Sequence, residues 1–195
     1  MRQREQHNRM RAATRTIPAL QLPQVRLGAL AALGFAAFLI GWLAIGGNDK
    51  PSSQSDGGAT ATSEAELREF AASAAHPVYW AGPRTGQTYE LTHTSDGRVY
   101  IRYLPEGVKA GDPRPQFLTV GTYPRARAYA ELKRAASAPG AMSRDLPGGG
   151  LAVVSRGSTS VYFGYPDARY QVEVYTPSAS SARTLVFGGQ VVPIR

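Results

Sequence analysis

Cysteine is absent from the 195 residues, and histidine occurs three times. Without cysteine no disulfide can brace the fold, and no thiol can act as a nucleophile in the manner of papain-like or sortase-like enzymes. An HExxH, CxxC or EF-hand pattern is missing too, so no metal-ligand set is apparent. The chain also lacks a GxSxG nucleophile elbow. Its triple glycine, Gly148-Gly149-Gly150, has neither the Lys and Ser/Thr of a phosphate-binding loop nor the spacing of a dinucleotide fingerprint, and reads as a mobile loop. No cofactor and no metal is expected. Carboxylates remain: Glu90, Glu106, Asp112 and Asp145 leave glycan hydrolysis by an acid pair as the alternative to a binding role.

Acidic residues are the next scarcity, 14 against 22 lysines and arginines, for a net charge of +8. Much of the excess sits at one end. Arg2, Arg4, Arg9, Arg11, Arg15 and Arg26 face a single Glu5 and precede the uncharged run LGALAALGFAAFLIGWLAI, Leu27 to Ile45. As a helix that run is about 28 Å long, enough to span a bilayer core. It exceeds a signal-peptide apolar region and gives way to GGNDKPSSQ, where no cleavage site is evident. The positive-inside rule then keeps residues 1–26 in the cytoplasm, makes 27–47 a transmembrane helix and sends the rest outside. Anionic lipid suffices to attract the arginines, so nucleic acid is not an expected partner. Gly28, Ala32 and Ala36 repeat every four residues, as do Ala37 and Gly41, a spacing that permits a homodimer through the anchor.

Residues 48–63, NDKPSSQSDGGATATS, have the composition of a flexible linker about 20–24 Å in root-mean-square span, which holds the outer domain near the membrane. Residues 64–195 form that domain. It is large enough to fold around its own core.

Within it, Ser63 and Glu66 predict a capping box opening a helix that carries Leu67, Phe70, Ala71 and Ala74 and stops before Pro77. YELTHTSDGRVYIRY predicts a hairpin. A three-residue loop, Ser95-Asp96-Gly97, aligns Leu91 with Ile101 and Tyr89 with Tyr103, whereas a two-residue turn would mix polar with apolar on both faces. Tyr89, Leu91, His93, Val99, Ile101 and Tyr103 then share the core face, with His93 partly buried. Glu90, Thr92, Arg98, Tyr100 and Arg102 share the other. After the long loop LPEGVKAGDPRPQ comes the strand FLTVGTY, and Pro124 is placed to start a helix bearing Ala128, Tyr129, Leu132 and Ala136.

The remainder reads as a meander. Loops at Arg156-Gly157-Ser158 and at 166–169 align Leu151 and Val153 with Phe163 and Val161, and these with Val172 and Val174, giving one continuous apolar face. Thr176-Pro177 opens a last helix, with Ala179, Ala182, Leu185 and Val186 inward, and Gly188-Gly189 closes it before QVVPI. The expected fold is α+β, a largely antiparallel sheet with helices packed on one face. Residues 98–146 and 159–194 suggest one β-β-α-β unit used twice.

His76, at a helix end, and His93 have no partner that would make them catalytic. The candidate site is instead the polar face. Arg98, Tyr100 and Arg102 alternate along one strand, Tyr162 and Tyr175 hold equivalent places in the meander, and Trp80 or its neighbour Tyr79 joins them. Basic and aromatic side chains so interleaved suit an anionic polymer or a sugar surface. The function expected is a membrane-anchored extracytoplasmic module that binds an envelope component: an anionic polymer, a lipid head group or an envelope protein.

Arginine greatly outnumbers lysine, and alanine, glycine and proline are abundant, as in chains coded by G+C-rich bacterial genomes. HPVYWAGP, YELT through RVYIRYLP, FLTVGTYP, and YQVEVYTPS followed by GQVVPI together resemble a type of single-pass exported protein of high-G+C Gram-positive bacteria. The resemblance covers residues 76–194. It implies membrane anchoring and a shared outer domain, and it implies neither an activity nor functional residues.

Overall fold

The computed structural model describes residues 58–195. The basic tail, the apolar run and most of the linker lie outside them, as do the orientation and the anchor-mediated homodimer expected from those segments. No helix among the described residues is long and apolar enough to cross a membrane.

The domain is α+β, with three helices on a mostly antiparallel sheet. Eight strands lie in the order β1 (Thr60–Thr62), β3 (Gln87–His93), β4 (Val99–Pro105), β5 (Thr119–Pro124), β9 (Tyr170–Tyr175), β8 (Ser160–Gly164), β7 (Gly150–Val154) and β6 (Met142–Leu146). Two short strands, β2 (Tyr79–Trp80) and β10 (Val192–Pro193), pair with each other. The helices are α1 (Glu64–Ser73), α2 (Ala128–Ala136) and α3 (Ala179–Phe187). Strand β1 extends the fold into the end of the segment read as linker, pairing Thr60–Thr62 with Tyr89–Leu91.

The capping box of α1 is formed. The Ser63 hydroxyl accepts from the Glu66 N–H, and the Glu66 carboxylate accepts from the Ser63 N–H at 2.7 Å. Those bonds hold Glu66 below the usual carboxylate range and settle two orphan amides of the first turn. They aim Leu67, 0% exposed, into the core. The helix ends at Ser73, a few residues ahead of Pro77. The first hairpin has the expected register, Leu91 opposite Ile101 and Tyr89 opposite Tyr103. Gly97 takes φ +83° in its loop, a value that glycine tolerates best.

The second hairpin does not have the expected register. Leu151 lies opposite Gly164, Ala152 opposite Phe163 and Val153 opposite Tyr162, one residue away from the alignment read from the sequence. The cause is the loop. The Ser158 hydroxyl donates to the Ser160 carbonyl and accepts from the Ser160 N–H, and Ser158 N–H donates to the Ser155 carbonyl, so the turn consumes an extra residue. A one-residue shift sends every side chain to the other face. Ala152 and Val154 therefore join Phe163, Val161, Val172 and Val174 on the first face, while Leu151 and Val153 go with Tyr162 to the second.

Both faces of β7 and β8 are consequently apolar, and both are covered. Ala182, Leu185 and Val186 of α3 pack with the first-face cluster, whereas Leu132 of α2 packs with Leu151, Val153 and Tyr162 on the second. The helices thus lie on two faces, not on one. The two β-β-α-β stretches share element order, but a twofold relating the antiparallel pair β5 and β9 would keep α2 and α3 on the same face. Their likeness stops at order. Pro124 also has a different role from the one expected: it ends β5 opposite Tyr170, and α2 begins at Ala128.

Three smaller readings change as well. Tyr79 and Trp80 are both buried, 4% exposed each, because β2 is sandwiched: Tyr79 meets Phe163 edge to face at 5.4 Å, and Trp80 lies 6.1 Å from Tyr89 with the Arg68 guanidinium above it. His93 is exposed, at the outer end of β3 against the Phe70 ring. Of the triple glycine, Gly148 and Gly149, both at φ +78°, make a tight turn between β6 and β7, and Gly150 opens β7 opposite Leu146.

Candidate functional site

The second face of the sheet holds most of the residues picked from the sequence. Cross-strand pairing sets them in two polar rows. One row runs Thr92, Tyr100, Gly121, Glu173 and Tyr162; the next runs Glu90, Arg102, Thr119, Tyr175 and Ser160.

Arg102 is sealed in by the loop that follows its own strand. Its guanidinium donates to the Glu90 carboxylate at 2.8 Å, with side chains 6% and 2% exposed. It donates also to the backbone carbonyls of Asp112 and Arg114. The second Glu90 oxygen accepts from the Gly111 N–H at 2.7 Å. The Phe117 ring lies 5.0 Å from the same guanidinium. The 106–118 segment is therefore a strap across the sheet, fastened by one ion pair that bonds three times to the strap's backbone. Its bend is fixed by Asp112, which accepts from the backbone and guanidinium of Arg114, bonds that hold its carboxyl down at about 2.

The neighbouring row centres on Glu173, which is 3% exposed. One carboxylate oxygen accepts from the Ser160 hydroxyl at 2.7 Å and from the Tyr162 hydroxyl at 2.9 Å. Burial pushes this carboxyl up to about 7, although the two hydroxyl bonds pull the other way. Burial raises the Tyr100 and Tyr162 phenols as well, so both stay protonated at neutral pH. Gly121, directly between Tyr100 and Glu173, leaves room for the Tyr100 ring, which would lie 3.1 Å from a Cβ there. The cluster can take up or release one proton near neutrality inside a covered layer.

The structure thus groups Tyr100 and Tyr162 around Glu173, and places Arg102 and Tyr175 in the adjoining row. Trp80 belongs to the first face. Arg98 lies at the hairpin end, exposed and paired with Asp96 at 2.8 Å. Four of the six, Trp80, Arg102, Tyr162 and Tyr175, are buried. Glu173 escaped the sequence reading; the only signal for it was an acidic residue at the centre of the apolar strand YQVEVY.

Of the carboxylates noted in the sequence, Glu90 and Asp112 both serve the strap, Glu90 bonded to Arg102 and Gly111, and Asp112 to Arg114. Glu90 on β3 and Asp145 on β6 are six strand spacings apart, about 29 Å, whereas a glycosidase pair needs roughly 5–10 Å. Glu106 is exposed on the strap and Asp112 is engaged there. Among the described residues no group of three His, Cys, Asp or Glu could hold a metal ion. His76 serves structure: its Nε2 bonds the Gly97 carbonyl at 2.8 Å, tying the end of α1 to the first hairpin. Comparison with protein-family models, with curated proteins and with solved structures finds no match to this chain.

Proposed function

We propose that this chain is a single-pass membrane protein whose 64–195 domain stands outside the membrane and binds a component of the cell envelope. The uncharged Leu27–Ile45 run behind six arginines supports the anchor and its direction. The observation that carries the outward-binding role is where the tether joins the sheet. The chain enters through β1, at one edge, and β6 is the opposite edge. Seven strand spacings along the sheet separate them, about 33 Å, so a domain held by β1 presents β6, β7 and α2 away from its attachment.

The presented surface is polar. Met142 and Val192 are the exposed large apolar side chains among the described residues, too little for insertion into a bilayer or for an apolar protein face. A polar envelope polymer suits it better.

The test is sedimentation of the full chain, in detergent, with purified insoluble envelope glycan. Salt-sensitive co-sedimentation with no release of soluble sugar is the expected result. Release of soluble fragments that stops in Glu90→Gln or Asp145→Asn would replace the binding role by hydrolysis.

A further inference from the structure

We propose that the outward side of α3 is a docking groove for an anionic glycan, gripped by Arg84 at one end and by Arg144 and Arg183 at the other. This rests on the envelope-binding reading above and gives it a site and a ligand class.

Two shallow depressions meet on α3, sharing Ser180 and Thr184. Arg84 lines the first; Arg144 and Arg183 line the second. No aspartate or glutamate lines either, and none of the three arginines makes an ion pair among the described residues. From Ser180 to Gly188 the helix rises about 12 Å, so the groove is an open, elongated track and not a cavity for a small molecule.

Two of the arginines are held in place by aromatic rings. Arg84 lies 5.6 Å over the ring of buried Tyr103, on a loop fixed by Tyr103 and Tyr89: the Tyr103 hydroxyl accepts from the Ala81 N–H at 2.7 Å, and that of Tyr89 accepts from the Arg84 N–H. Arg144 projects from β6 and lies 5.5 Å over the Phe187 ring. Stacking on a ring face leaves the guanidinium edge, with its forked N–H donors, to meet a ligand and reduces the freedom lost on binding.

The chemistry fits a charged sugar chain. Guanidinium forks match carboxylate or phosphate groups bidentately. Ser180, Ser181 and Thr184 line the track between the charges, and their hydroxyls both donate and accept, as sugar hydroxyls require. The apolar side chains of the lining, Leu118, Leu185 and Phe187, are buried or half-buried, and the exposed large apolar residues, Met142 and Val192, lie outside it, so no apolar side chain stands free beside the cations to enter a lipid surface.

The test measures binding of the full chain in detergent to fluorescent oligogalacturonate, with dextran as the neutral control and phosphatidylglycerol vesicles as the lipid arm. Oligogalacturonate should bind in a salt-sensitive way and dextran should not. Arg144→Gln and Arg183→Gln should each weaken binding about tenfold, while Arg169→Gln, an equal charge change outside the groove, should not. Sedimentation with whole envelope glycan runs in parallel. Groove variants that bind oligogalacturonate like the parent, while the parent still sediments, would overturn the groove and leave the binding role standing. Failure of the parent to sediment would overturn both. Tighter binding to the vesicles than to oligogalacturonate would assign the groove to lipid instead.

Discussion

The Arg102 guanidinium and the Glu90 carboxylate face each other across the first hairpin at 2.8 Å, almost out of reach of solvent. Removing one partner strands a buried charge, which typically costs about 3–5 kcal/mol, whereas replacing both by apolar groups of similar size is far milder. Arg102→Met alone should therefore destabilise the domain by roughly that amount in urea unfolding, and should raise amide hydrogen exchange across residues 106–118. Adding Glu90→Leu should recover much of the stability. A near-neutral single variant would show that the strap is held by something else.

Glu173 gives the domain an unusual pH dependence. A glutamate titrates near 4.5 when unfolded and at about 7 here, so the folded state holds the extra proton between those values. Stability is then fully present below the unfolded value and falls as pH rises through the folded one, by roughly 3 kcal/mol. Asp112, pulled down by Arg114, acts in the opposite sense at lower pH, so the parent must be compared with a Glu173 variant. Glu173→Gln keeps an oxygen to accept from Ser160 and Tyr162 but cannot ionise. Its unfolding free energy should match the parent near pH 4 and exceed it by roughly 3 kcal/mol near pH 8. Equal pH slopes in the two proteins would contradict the assignment.

The glycine turn before β7 should tolerate alanine unequally. A Cβ on Gly150 would lie 2.6 Å from the Tyr165 ring, closer than real contacts allow. Gly150→Ala should cost about 1–3 kcal/mol through displacement of that ring. Gly148→Ala has ordinary contacts and only the left-handed backbone to oppose it, for about 1–2 kcal/mol. Urea midpoints measure both, and a neutral Gly150→Ala would mean that Tyr165 moves freely.

Legibility of the fold followed the strength of local signals. The first hairpin could be registered from its sequence because Leu91, Ile101, Tyr89 and Tyr103 can share a face in one alignment only, and because Gly97 marks the left-handed loop position. The second could not, since Ser158 bonds to Ser160 and lengthens a turn that looks like three residues. That single residue moved Leu151 and Val153 to the second face and made a place for α2 there. The α1 cap and the end of α3 at Gly188 were legible for the same local reasons, whereas α3 starts at Ala179, two residues after the expected Thr176-Pro177 opening.

The polar face misled in a different way. Alternation tells which side of a strand Arg102 occupies, but not that the 106–118 segment returns to cover it. Nor does it tell that Tyr162 lies beside Glu173 across β8 and β9, because cross-strand neighbours depend on register between distant segments. The arginines of the α3 groove were inconspicuous for a related reason. Arg84, Arg144 and Arg183 come from a loop, an edge strand and a helix that only the fold brings together.

The claim on which the rest depends is that a membrane-held chain exposes its 64–195 domain on the outside. Protease added to intact cells expressing the full chain, with an epitope at each terminus, tests it directly. Cleavage near the 48–63 segment should remove the C-terminal epitope and leave the N-terminal epitope on a small membrane-bound fragment. A C-terminal epitope that survives until the cells are lysed would place the domain in the cytoplasm and contradict the account.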